Sequence, residues 1–467
     1  MRRLRQLAER TPAGRERYVD LLRALAITMV VLGHWGVTVI DYDRAGRPAG
    51  HSALGDLPWA WPLTWVAQVI PVFFLVGGYA NAASLTARRD RGGTATGWLI
   101  DRSARLVRPT TALLVVLAAG AAAATLRGAD PAQVRTVVWF ATIPLWFLVA
   151  YLVVVPLTPP MYALHRRFGL AVPLVLIALV ALGDLGRIFG PAGLATGNYL
   201  FGWLAVHQLG FAWYDTRAPA GRPDDPTAGP VDARPRGLLG RRLPLSRRAG
   251  AALLAGGLVA LVLLTVVGPY PVAMLNVPGE RLDNAAPPSL ALLAAAAAQL
   301  GLILLLREPA QRRLRRSRPW QAVIAVNAVV LTVFLWHLTA AVLLTGLLDA
   351  LGVLPTPPVG SAAWWGWRIP WLLALTVVLA ALVAVFGPIE ARTRRPPATG
   401  PAGEGARRLR TALAVLGYAG LVTGLLLNSL TRKAAPEPLG LPAPALVAYL
   451  AGAGVLRLLR SGWGSRG

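Results

Sequence analysis

Residues 18–35 read YVDLLRALAITMVVLGHW, an apolar run that carries Asp20, Arg23 and His34. A stretch of this length and composition is a membrane-crossing helix. Arg23 and His34 stand eleven positions apart, and at about 100° per residue both leave the same face of that helix, with Asp20 within about 60° of it. An acid, a guanidinium and an imidazole therefore point one way from a helix that otherwise needs lipid or protein around it. Placing a charged group there costs about 3 kcal/mol even on the lenient insertion scale, so such residues mark a functional site by default.

The rest of the chain agrees with a membrane setting. Of its 467 residues 55% are hydrophobic, and the mean hydropathy is +0.54. The expected fold is all-α: a polytopic integral membrane protein with 10–12 transmembrane helices. The net charge of +26 would elsewhere point to nucleic acid. Here the arginines cluster between apolar spans, as the positive-inside rule requires, and nucleic acid is not an expected partner. With no cysteine, disulfides, thiolate nucleophiles and cysteine metal sites are excluded. The arginine-rich start leads into a span of about 20 residues with no small-residue cleavage site, so no cleavable signal is read.

Up to twelve apolar spans are read, at 19–40, 62–86, 109–126, 137–158, 170–188, 198–214, 249–268, 288–306, 321–348, 367–388, 411–430 and 442–459. Arginine concentrates in alternate connections: the N-terminus, 87–108, 164–167, 215–248, 307–320, 390–410 and the C-terminus. That alternation places both termini in the cytoplasm. The organisation expected is a basic cytoplasmic N-terminus (1–17), a membrane domain (18–390) that includes the basic cytoplasmic loop 215–248, a second basic cytoplasmic loop (391–410), and additional C-terminal transmembrane helices with a tail (411–467). The composition of 215–248 is that of a linker, expected to be disordered or held on anionic lipid. RRLRRSR at 312–318 reads as a topology signal, with nucleotide phosphate as the alternative. Arginine far exceeds lysine, of which Lys433 is the one example. This bias, with the abundance of Ala and Gly, points to a GC-rich bacterial genome; the expected location, from the apolar spans, is the cell membrane as a multi-pass protein.

Four stretches share one resemblance. YVDLLRALAITMVVLGHW, VFFLVGGYANA at 72–82, DRSARLVRP at 101–109 and FLWHLT at 334–339 follow in the order of segments of the membrane acyltransferase 3 family. The match includes its Arg, ten residues, His motif (Arg23 and His34) and its arginine-x-x-arginine element. The resemblance covers 18 to about 390 and implies an integral-membrane O-acyltransferase acting on sugars or other acceptors. Many relatives carry a carboxylate several residues after a Trp-x-Leu in the fourth helix; LWFLVAYLVVVPL, around Trp146, offers none. Some relatives append an extracytoplasmic esterase-like domain, whereas this chain continues into apolar helices.

Acyl transfer from a thioester needs a base for the acceptor's proton or a nucleophile to carry the acyl group, and neutral histidine suits either near pH 7. His34 is the leading candidate, with Arg23, Asp20 and His337 beside it. Arg102, Arg105 and Arg108, spaced by three, form a stripe suited to coenzyme A phosphates, since guanidinium forks give charge-assisted, often bidentate contacts. Tyr79 and Asn81 are candidate cavity residues.

Each residue has a plainer reading. Asp20 and Arg23 neutralise one another at the helix entrance; His34 and His337 are buried histidines satisfied by carbonyls; the arginines are interfacial topology residues; Tyr79 and Asn81 are helix-packing polar groups. His51 and His165 fall in loops, where solvation is the default. No histidine and carboxylate spacing suggests a metal. The expected donor is acyl-coenzyme A, with acetyl-coenzyme A first. The expected partners are the lipid bilayer and a glycan or glycosylated small-molecule acceptor, and the oligomeric state is left open. The alternative is a proton-coupled secondary transporter or flippase, in which Asp20, Arg23, His34 and His337 form a pathway.

Overall fold

A computed structural model describes residues 9, 11, 14–217, 240–391 and 403–461. Residues 218–239 of the long basic loop, 392–402 of the second basic loop, most of 1–13 and the tail 462–467 lie outside the described residues. The helices are α1 (Arg17–Val37), α2 (Ile70–Arg89), α3 (Ala95–Leu126), α4 (Pro131–Thr142), α5 (Leu145–Phe168), α6 (Ala171–Phe189) and α7 (Asn198–Arg217). They continue as α8 (Arg247–Val262), α9 (Leu290–Leu314), α10 (Ser317–Ala328), α11 (Val330–Ala350), α12 (Ala362–Ala391), α13 (Glu404–Leu430) and α14 (Ala443–Arg460). One antiparallel hairpin, β1 (Thr38–Tyr42) and β2 (Pro48–Ser52), follows α1 with Thr38 opposite Ser52 and Tyr42 opposite Pro48.

Among the described residues eleven segments are long and apolar enough to cross a membrane, and the chain is a multi-pass, all-α membrane protein. Several expected boundaries move. The span read over 137–158 is two helices, α4 and α5, because Pro144 has no N–H to continue the first and restricts Ile143, its C-cap. The span read over 321–348 divides at Val329 into α10 and α11, where the Glu390 carboxylate accepts N–H bonds from Leu331 (3.1 Å) and Thr332 (2.7 Å) and the Thr332 hydroxyl (2.7 Å). Those amides open a new helix and have no carbonyl partner of their own. The segment at 62–86 begins as tight turns over Pro58–Leu63 and Thr64–Ala67 before α2. The helix at 198–214 forms as α7 but is not among the eleven apolar segments; it carries the polar residues Asn198, His207, Gln208 and Asp215.

α3 begins fourteen residues before the apolar stretch read at 109. Thr94 caps it by accepting from the Gly97 N–H at 3.1 Å, and its 32 residues span about 48 Å, more than the roughly 30 Å of a hydrocarbon core. Arg102, Arg105 and Arg108 thus sit on helical turns instead of in a loop. Pro109, within α3, removes one ladder donor. Just beyond it the Thr110 and Thr111 hydroxyls donate to the Leu106 and Val107 carbonyls, both at 2.8 Å.

The chain divides into two compact units. The first draws on residues up to Ala26, Leu57–Ala87 and Val154–Ile324. Within it, Gly78 of α2 and Gly210 of α7 meet backbone to backbone, where a Cβ on either would strike the opposing chain. Buried Asp184 accepts from Asn198 (3.1 Å), the Tyr270 hydroxyl (2.9 Å) and the Leu290 N–H (2.7 Å), and pairs with Arg187 at 3.3 Å. Buried Glu16 is held by Arg217 (2.8 Å), Arg307 (3.3 Å) and Gln311. His165 is not solvated as expected: it lies in the last turn of α5, fully buried, 3.5 Å from Asp215, which also accepts from the Tyr162 hydroxyl.

The second unit comprises Ile27–Asp56, Arg88–Val153 and Ala325–Gly467. Its C-terminal helices α13 and α14 pack through Gly417, Gly420, Gly424 and Gly452, small residues that let backbones approach where no hydrophobic gain separates protein from lipid. The hairpin is tied by the Tyr42 hydroxyl, which donates to Asp349 at 2.9 Å; that bond raises the phenol above its ordinary pKa.

Arg135 of α4, fully buried, donates to the Asn428 side chain (2.8 Å) and to the Asn428 (2.8 Å), Gly440 (3.1 Å) and Thr431 (3.2 Å) carbonyls. Arg135→Met strands these acceptors and is expected to destabilise the protein by about 2–3 kcal/mol. Thermal unfolding in nanodiscs checks this, and Arg135→Lys, a point charge without the planar fork, is expected to rescue only in part.

Candidate functional site

The two units carry different members of the expected set. In the second unit, His34 closes α1 and His337 lies in the middle of α11. Their rings stack at 5.0 Å between centroids, 25° apart, and His34 Nδ1 is 2.8 Å from His337 Nε2. His337 is fully buried, and its Nδ1 is 2.6 Å from the Phe334 carbonyl oxygen.

That carbonyl only accepts, so His337 carries hydrogen on Nδ1. In neutral His337 the Nε2 is then bare and accepts, so His34 donates from its own Nδ1. Neutral His34 is left with a bare Nε2, which makes no hydrogen bond among the described residues. The arrangement is a directed chain, Phe334 carbonyl to His337 to His34, that presents one basic nitrogen in a fixed orientation. Trp35 braces it by donating its indole N–H to the His337 carbonyl at 2.9 Å, and the Thr38 hydroxyl donates to the His34 carbonyl at 2.6 Å.

The arginine stripe belongs to the same unit. Arg102 donates to the Tyr151 hydroxyl at 3.0 Å, so the stretch after Trp146 that lacks a carboxylate supplies a neutral acceptor instead. Arg105 is exposed and makes no hydrogen bond or ion pair among the described residues. Arg108 is half-buried. Arg88 takes the nearby carboxylate, Asp101, at 2.9 Å. Arg460, at the end of α14, lies within electrostatic reach of Arg105 and Arg108. Guanidinium groups gathered in this way suit a polyanionic ligand.

In the first unit, Asp20 pairs with Arg23 at 3.3 Å and with Arg15 at 2.7 Å. Each carboxylate oxygen thus has a guanidinium, the arrangement of the mutual-neutralisation reading. Asn81 is fully buried and donates to His207 Nε2 (3.1 Å) and Thr158 (3.4 Å), while Tyr79 sets its ring edge-on to Trp213 (6.0 Å) and Tyr214 (5.7 Å). These are contacts of helix packing.

Sequence reasoning missed Trp35, Tyr151, Arg460, Arg15 and the Phe334 carbonyl. Trp35 carried a signal, since an indole N–H in an apolar helix needs an acceptor. A backbone carbonyl carries none.

Comparison with known families matches residues 16–389 to the acyltransferase 3 family, described as an acyltransferase domain. No curated protein and no solved structure matches the chain.

The chain has no cysteine, which allows a direct check of the histidine pairing. A double His34→Cys, His337→Cys variant is expected to be bridged by dibromobimane, which fluoresces only when both arms react, and each single variant is expected to stay dark.

Proposed function

We propose, for a chain that belongs to the acyltransferase 3 family and is a membrane acyltransferase, that it moves a small acyl group, acetyl first among them, from acyl-coenzyme A to a hydroxyl of a glycan or glycosylated acceptor. The observation that carries this reading is the relay from the Phe334 carbonyl through His337 to His34. A bare, oriented imidazole nitrogen is what a general base needs, and such a group contributes typically 10²–10⁴-fold.

His34 Nε2 takes the proton from the acceptor hydroxyl as its oxygen attacks the thioester carbonyl. The C–O bond forms, the C–S bond breaks, and His34 returns the proton to the departing thiolate, giving ester and free coenzyme A. While His34 is charged, its Nδ1–H points at the bare Nε2 of His337, which accepts the strengthened hydrogen bond. Arg105 and Arg108 bind the donor's phosphates by charge-assisted hydrogen bonds. Arg102, steadied by Tyr151, flanks them.

In this reading the protein lies in a bacterial cell membrane with both termini cytoplasmic. Arg23 and Asp20 stand at the cytoplasmic end of α1, and His34 lies about 16 Å further out. The donor is met from the cytoplasm and the acceptor from the other side.

The test is acetyl-coenzyme A turnover by purified protein in nanodiscs, followed by free thiol release with a panel of glycan acceptors. His34→Ala and His337→Ala are each expected to lower kcat about 10²–10⁴-fold, and the double variant no further than the worse single, because the two rings act as one unit. Arg105→Ala is expected to raise the donor KM about tenfold with a smaller change in kcat. Absence of any acyl-coenzyme A binding or turnover by well-folded protein removes the donor assignment and leaves proton-coupled transport through the same residues to be tested.

A further inference from the structure

Helices α13 and α14 lie beyond the residues that match the family, yet they pack on α3, the helix of the arginine stripe. Contacts spread along α3 set the register. Gly440, just before α14, sits against Ala121 of α3 and Val138 of α4, and the Tyr449 hydroxyl, midway along α14, donates to the Val107 carbonyl at 3.2 Å. From α13 the Tyr418 hydroxyl donates to the Leu99 carbonyl at 3.2 Å, and the Thr411 hydroxyl meets that of Thr96 at 2.9 Å. The two tyrosines are buried, and the carbonyls they take bracket Arg102 and Arg105.

α14 therefore runs antiparallel to α3. From Tyr449 to Arg460 it advances eleven residues, about 16 Å, which brings its last turn to the N-terminal half of α3, where the stripe stands. Arg410 of α13 ties that end by donating to the Leu459 carbonyl at 3.1 Å. Arg460 is half-buried there, within electrostatic reach of Asp101, Arg105 and Arg108, and Asp101 is itself paired with Arg88 at 2.9 Å. Arg102, Arg105 and Arg108 step round α3 by about 60° each, so this helix fans its guanidinium groups over roughly 120°. A phosphate group holds its oxygens in a tetrahedron and is gripped best by forks that converge on it from more than one side. Arg460, arriving on a separate helix, supplies a side that α3 cannot.

We propose that Arg460 is a further donor-binding residue, delivered by the C-terminal helix pair to hold a coenzyme A phosphate together with Arg105 and Arg108. This assignment rests on the acyl-coenzyme A reading of the stripe. An anionic lipid headgroup carries the same phosphate chemistry, and the test separates the two sources.

Full-length protein in nanodiscs of phosphatidylcholine is titrated with coenzyme A by calorimetry, without acceptor. Arg460→Gln is expected to raise Kd about tenfold, and Arg460→Lys less, since it keeps the charge and loses the fork. Arg457→Gln, which removes the same charge from an exposed position one turn earlier, is expected to bind as the unaltered protein does. In turnover Arg460→Gln is expected to raise the KM for acetyl-coenzyme A and to leave unchanged the use of S-acetylpantetheine, which has the thioester and no phosphate. Absence of coenzyme A binding by the unaltered, well-folded protein removes the donor reading and the role of Arg460 with it. Binding that Arg460→Gln leaves unchanged, or that Arg457→Gln weakens equally, removes the role of Arg460 alone. A loss seen only when phosphatidylglycerol is present assigns Arg460 to a lipid headgroup, and an equal loss with S-acetylpantetheine assigns it to structure; either result overturns the proposal.

Discussion

A neutral imidazole has two nitrogens and one hydrogen, and the Phe334 carbonyl decides where that hydrogen sits on His337. The orientation of both histidines follows from this one bond. It makes His337 an acceptor toward His34, turns the His34 Nδ1–H inward and leaves the opposite nitrogen bare. The carbonyl is available to the ring because both belong to α11, three residues apart. The ordering of the two histidines is therefore built into a single helix, and α1 only has to arrive in register, which Trp35 secures by bonding the carbonyl of His337 itself.

The same demand, that polar groups away from water find partners inside the protein, organises the scaffold. Glu390 opens α11 by taking the amides at its start, Asp184 performs that service for α9 through Leu290, and Glu16 gathers Arg217, Arg307 and Gln311. Asp184 and Glu16 are buried and Glu390 half-buried, each together with the donors that make this tolerable, and each joins segments far apart in sequence.

Much of this was legible in the sequence because hydrophobic length and arginine placement are strong signals. The membrane class, most spans and the family were readable from residues such as Arg23 and His34 together with the DRSARLVRP element. What escaped depended on contacts between distant segments. Nothing local announces that Glu390 will break the apolar run 321–348, that Tyr151 will stand against Arg102, or that Arg460 will approach Arg105 and Arg108 from a helix beyond the family match. His165 misled because a basic, loop-like neighbourhood, LHRRF, was read as solvated; α5 continues through it, and the ring is sealed against Tyr162 and Phe211. The break at Ile143 was readable, since Pro144 was in plain view.

Arg135 waits longer for its partner than any timetable of local folding allows. Its side-chain acceptor on Asn428 lies 293 residues further along the chain, and the Gly440 carbonyl lies later still. At roughly 5–20 residues per second the ribosome takes about 15 seconds or more to reach them. Throughout that interval the guanidinium must stay in water or among lipid headgroups, so α4 cannot settle into its final depth as it emerges. The helices made last thus act as a latch on one made early.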